Sequence, residues 1–205
     1  MHTETAVRHL FSGIDEYMRI LRAAPPPVLA ASYSSEADHK AALDDWFARK
    51  GPDIAKSIEA ERAFIAQKYA LATLCGSVLQ IAFMAIRLYS QNTQLPPNLT
   101  WLSGITGSVL PFCIGRLIHG VPLGLIVYAG RNQYNHADAD QLSPLNTSIF
   151  DRLCSDDAHP GQKDPAFDLG AKLTWNYPSN ITKLVGWRSY DSYATDMEDL
   201  LIAQA

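Results

Sequence analysis

Arg131, Asn132 and His136 stand within six residues of one another, in the run Arg131-Asn132-Gln133-Tyr134-Asn135-His136. Their types suit the breaking of an RNA phosphodiester without a metal. In that reaction the ribose 2′-OH attacks the adjacent phosphorus, so a proton must be moved and negative charge on the phosphate must be held. An imidazole titrates near neutral pH and serves the first need. A guanidinium is permanently cationic, forks onto phosphate oxygens and serves the second. Asn132 can donate and accept, and so can orient either partner. On an ideal helix Asn132 and His136, four apart, share a face, while Arg131 and His136, five apart, are turned about 140° from each other. The length of the arginine side chain, an irregular helix start at this segment, or a second copy of the chain across a two-fold axis would each close that gap.

Other groups lie close in sequence. Arg116 and His119, three apart, are expected on one helical face, where they would add a phosphate contact. Tyr134, or Tyr128 six residues earlier, offers a ring on which a base could stack. Gly130, directly before Arg131, lets another helix or a phosphate approach the backbone. His136, Asp138 and Asp140 have metal-ligand side chains, but the two aspartates point about 200° apart on a helix, so no metal and no cofactor is expected. Arg152 and His159 repeat the Arg-to-His pattern with six residues between them. That copy lies in an acidic loop before Pro160, with an apolar Leu153 after the arginine, and is set aside.

The elements that must position these residues read as helices. Val7, Leu10, Phe11, Ile14, Met18 and Leu21 recur at helical spacing until Pro25-Pro26-Pro27 stops them. A short helix is expected over 36–49. A long one should run from Pro52, a residue favoured in a first helical turn, to about Ser90. After Pro96-Pro97 the pattern predicts a helix over 101–119, kinked at Pro111. Another follows from Pro122 into the Arg131–His136 run, and a last one carries Tyr190, Tyr193, Met197 and Leu200. Polar turn clusters at 156–161 and 176–180 mark a change of composition. The expected organisation is therefore a helical domain over 1–144 and a small C-terminal helical appendage, 145–205, packed on it.

Composition narrows the function classes. The chain has 205 residues, 47% of them apolar and 19% charged, which suits a globular protein with a sizeable core. A net charge of −4 excludes general coating of phosphate backbones, so any nucleic-acid contact is local. Cys75, Cys113 and Cys154 form no zinc or CxxC pattern and read as reduced thiols of a cytoplasmic protein. The polar start Met1-His2-Thr3-Glu4 does not read as a secretory leader, which makes the sequons at Asn98, Asn146 and Asn180 irrelevant. Tyr69 to Ile86 carries no charge and has the length of a membrane span. It also contains Thr73, Ser77 and Gln80, so a buried helix is preferred and no membrane partner is expected.

With its Arg131-Asn132-x-x-x-His136 segment late in an all-helical region and a long helix before it, the chain resembles the HEPN domain. The hallmark of that family is an arginine, four to six residues of which the first is polar, then a histidine. The resemblance spans 1–142 in architecture and six residues in motif. It implies an all-α, HEPN-like bundle, a homodimer in which two motifs face each other, and metal-independent endoribonuclease activity, as in toxins and defence effectors that pair with an antitoxin or other protein. It also implies catalytic roles for Arg131, Asn132 and His136. Some family toxins carry a tyrosine two positions after the histidine that a partner modifies. Asp138 stands there in this chain, which argues against that regulation. A non-catalytic helical module for dimerisation or partner binding is the alternative from another class, and an integral membrane protein the third.

Overall fold

The computed structural model describes residues 3–23, 25–29, 34–102, 104–136, 142–155, 161–170 and 177–202. Seven α-helices lie among them: α1 (Glu4–Arg22), α2 (Glu36–Ala66), α3 (Lys68–Tyr89), α4 (Leu123–Asn135), α5 (Pro144–Cys154), α6 (Tyr177–Leu184) and α7 (Tyr190–Ile202). A two-stranded antiparallel ribbon, β1 (Leu117–Ile118) and β2 (Val121–Pro122), precedes α4. The protein is thus mostly α-helical, as its periodicity predicts.

Two compact units divide the chain: Met1–Ser12 with Ala70–Ala205, and Gly13–Tyr69. The boundary drawn at 144/145 from composition runs inside the larger unit, where α5 and α6 both pack on α4.

In the smaller unit α2 begins with Ser35, whose hydroxyl oxygen accepts from the Asp38 N–H at 3.1 Å. It then continues through Gly51-Pro52, where the sequence predicts a stop. Proline in a helix interior costs about 3 kcal/mol, a cost that length and local pairing can offset. Arg49 bonds Asp45 just before the site and Lys50 reaches across it to Asp53. None of the residues of α2 is buried. The expected single helix over 52–90 is instead two. Gln67 leaves the helical basin (φ −104°, ψ 5°), and α3 begins at the next residue.

The core of the larger unit forms around α4, whose Leu123, Leu125, Ile126, Val127 and Ala129 are buried. α3 supplies Leu71, Val78, Leu79, Ala82, Phe83 and Ile86. This is the uncharged stretch noted above. It is long and apolar enough to cross a membrane by length and composition, and 56% of its apolar window is buried inside the protein. Glycines set the helix spacing. A Cβ on Gly76 would stand 2.6 Å from the Tyr134 ring. One on Gly130 would meet Ile181 of α6 at 3.1 Å and Leu79 of α3 at 3.2 Å, so this glycine admits neighbouring helices.

The expected helix over 101–119 does not form. Pro111 sits in a single 3-10 turn (Leu110–Phe112), and Gly115 turns the chain at φ +90°. His119 (φ 50°) and Gly120 (φ 75°) then make the two-residue turn between β1 and β2. Two successive positive-φ residues are what a tight hairpin of this twist requires. The reading of Arg116 and His119 as neighbours on one helical face is therefore corrected: they lie before and within a hairpin turn.

Candidate functional site

α4 leaves β2 at Pro122 and delivers Arg131 in its last turns, with His136 as the residue that caps its C-terminus. Arg131 is half-buried and His136 exposed. The arginine is held on several sides. Its Nε donates to Gln80 Oε1 of α3 at 2.8 Å, and its Nη1 donates to Asn132 Oδ1 at 3.0 Å. Asn135 is satisfied with its side-chain oxygen turned to the guanidinium, where it accepts from Nε at 2.9 Å and Nη2 at 3.1 Å. The guanidinium also lies over the Phe83 ring, 4.6 Å from its centroid. That ring is itself stacked on Phe112 at 4.7 Å, so the floor beneath the cation is part of the core.

Asn132 touches both ends of the candidate pair, by different atoms. Its side chain accepts from Arg131, and its backbone carbonyl accepts from the His136 N–H at 3.0 Å. The expected orienting role is thus directed at the arginine by the side chain and at the histidine by the main chain. His136 has left helical geometry (φ −125°, ψ 35°), and its imidazole makes no hydrogen bond to another described residue. Five residues of helix separate it from Arg131 by about 7.5 Å along the axis.

The additional site residues are placed differently. Arg116 donates from Nε to Asp196 Oδ1 at 2.8 Å and from Nη2 to Asp196 Oδ2 at 2.9 Å, and also reaches the Val185 carbonyl. That bidentate pair holds the guanidinium firmly in its charged form and raises its already high pKa. Trp187 Nε1 donates to the same carboxylate at 2.7 Å. Arg116 is therefore the cation of a structural knot. The carbonyl of His119 accepts from Arg152 Nε at 2.8 Å. The half-buried ring of Tyr134 packs on Gly76 of α3, and Tyr128 meets Phe83 and Phe112, so both rings serve helix packing. Asp138, Asp140 and His159 lie outside the described residues. Among those described, no group of three His, Cys, Asp or Glu side chains is placed to hold a metal.

Sequence reasoning missed Gln80, Phe83 and Asn135. One signal was present: Gln80 is the only side-chain amide in the uncharged run 69–86, and a lone amide in a core helix needs a partner. Compared with family models, curated proteins and solved structures, the chain finds no match.

Proposed function

We propose that this chain is a metal-independent endoribonuclease on a HEPN-like helical bundle, acting as a cytoplasmic homodimer in the manner of a toxin or defence effector. One observation carries the reading. The half-buried Arg131 is held by amide oxygens and an aromatic ring, with no carboxylate among the described residues spent on its charge, close to an exposed imidazole at the end of the same helix. In this reading Arg131 grips the non-bridging phosphate oxygens and the charge that grows on them in the transition state. His136 moves a proton, and Asn132 orients the arginine. The 2′-oxygen bonds to phosphorus as the bond from phosphorus to the 5′-oxygen breaks. The proton leaves the 2′-OH, and one is delivered to the departing oxygen. The products are a 2′,3′-cyclic phosphate and a 5′-OH, with a second copy of the motif across the dimer supplying the complementary proton transfer.

The test is incubation of purified protein with bulk RNA in the presence of EDTA. Arg131→Ala and His136→Ala are each expected to lose cleavage by at least ~100-fold while circular dichroism keeps its helical signature. Undiminished cleavage by both variants removes the assignment. A second reading, a non-catalytic partner-binding module, has its own support: Met84, Leu88 and Tyr89 of α3 are 40%, 64% and 58% exposed. Exposed apolar side chains of this kind are what a partner covers. Failure of the wild type to cut any RNA, with a stable complex in solution, would favour it.

A further inference from the structure

Among the described residues, the cradle around Arg131 is built without an acid. Every described oxygen it donates to belongs to a neutral amide: Gln80, Asn132 and Asn135. Gln80 differs from the other two because it comes from α3, 51 positions away in sequence, whereas the asparagines belong to the arginine's own helix. Of the three hydrogen-bond acceptors it is thus the one that ties the guanidinium to another helix of the core. A guanidinium has five N–H donors. Among the described residues Nε–H, one N–H on Nη1 and one on Nη2 are engaged, which leaves one on each terminal nitrogen, five less three being two. Paired donors on terminal nitrogens suit a phosphate, whose oxygens accept two parallel bonds. Phe83, only 6% exposed, lies under the plane and keeps water from that side, so an anion on the open edge meets a less screened cation.

Resting on the nuclease reading above, we propose that Gln80 is a positioning residue for the anion-holding Arg131. Its amide aims the guanidinium at a phosphodiester without neutralising it. A carboxylate of the same shape would hold the arginine at least as well and would compete with the substrate for its charge, as Asp196 does for Arg116. The identity of residue 80 as an uncharged acceptor is therefore part of the anion site, although it touches no substrate.

The experiment uses the full chain and an arginine-dependent cycle. Gln80→Glu and Gln80→Ala are made in the wild type and in Arg131→Gln. Two quantities are measured: cleavage of a fluorescent single-stranded RNA in EDTA, and anisotropy-detected binding of a DNA of the same sequence, which lacks the attacking 2′-OH. In the wild-type background Gln80→Glu is expected to raise KM and weaken DNA binding at least tenfold. Gln80→Ala, which frees the guanidinium to wander, is expected to lower kcat more than it raises KM. In the Arg131→Gln background the effect of either change on DNA binding shrinks below twofold, which a merely structural role would not produce. Should Gln80→Glu fail to fold, Gln80→Ala carries the same cycle. Equal losses in both backgrounds, or none, overturn the proposal. A wild type that binds DNA through Gln80 and Arg131 yet cuts no RNA sinks the nuclease and leaves the positioning role. One that cuts RNA indifferently to residue 80 does the reverse, and one that neither binds nor cuts overturns both.

Discussion

Arg116 and Arg131 sit in the same compact unit and are immobilised by opposite means. Arg116 is locked to Asp196 through two short bonds, and Trp187 braces the carboxylate. Arg131 is held as tightly in number of bonds, but by amides and a ring face. The lesson concerns charge. A carboxylate positions a guanidinium and consumes its field, whereas an amide positions it and leaves the field for something else. The first arrangement fastens the approach to the hairpin onto the C-terminal helix α7. The second suits a cation waiting for an anion.

The largest expected effect separates the two arginines directly. Arg131→Ala should remove RNA cleavage with a small change in melting temperature, while Arg116→Ala should leave cleavage of the folded protein intact and lower stability. Loss of the pair costs about 1.5–3 kcal/mol, the range for hydrogen bonds to charged groups, with Trp187 retaining Asp196. Cleavage assays and thermal melts on the two variants check this. If Arg116→Ala abolishes cleavage with an unchanged melt, the contrast between a structural and a working arginine is wrong.

A smaller effect follows from how the two corners are assembled. The Arg131 corner depends on α3 and α4 lying close, which Gly76 permits by letting the Tyr134 ring rest on the backbone. Gly76→Ala places a methyl 2.6 Å from that ring, so the ring or the helix must move. Overpacking of this kind costs about 1–3 kcal/mol. It should also loosen the contact between Gln80 and Arg131 one helical turn along, cutting cleavage several-fold. The Arg116 knot is untouched by the substitution. Fluorescence of Trp187, which meets Tyr193 edge-on with ring centroids 4.9 Å apart, should stay unchanged while cleavage falls.

The helices were legible where local rules suffice. The stripe of Val7 and Phe11, the apolar run of α3 and the passage of α4 into Arg131 all read from periodicity. Errors came where a local rule lost to its surroundings. Proline at 52 was outvoted by a long helix, and the spacing of Arg116 and His119 suggested a helical face because positive φ at His119 has no clear signature in the residue type. At the site, the motif itself was visible because its members are neighbours in sequence. Its cradle was not, since only the packing of α3 on α4 brings Gln80 and Phe83 under Arg131. Chemistry within one turn is readable from a sequence, and the electrostatic setting that decides whether a cation is free is mostly tertiary.

The finest handle on the same comparison is a thiol on α3. Cys75 neighbours Gly76, is buried, and receives a hydrogen bond from Thr182 of α6 at 3.5 Å. Burial pushes its pKa up to about 11, against the pull of that hydrogen bond. An unfolded thiol ionises near 9.0, so the fold favours the protonated form. The resulting stabilisation is complete below that value and is lost as pH rises toward 11. At pH 10.5 the loss should be about 2 kcal/mol. Urea unfolding at pH 7.5 and 10.5, compared between wild type and Cys75→Ala, isolates it, because Cys113, also raised to about 11, is common to both proteins. A wild type that weakens no more than the variant would mean that the thiol is not held neutral in the core. It would also mean that α3 packs less tightly beside the Arg131 cradle than the amide-held arginine requires.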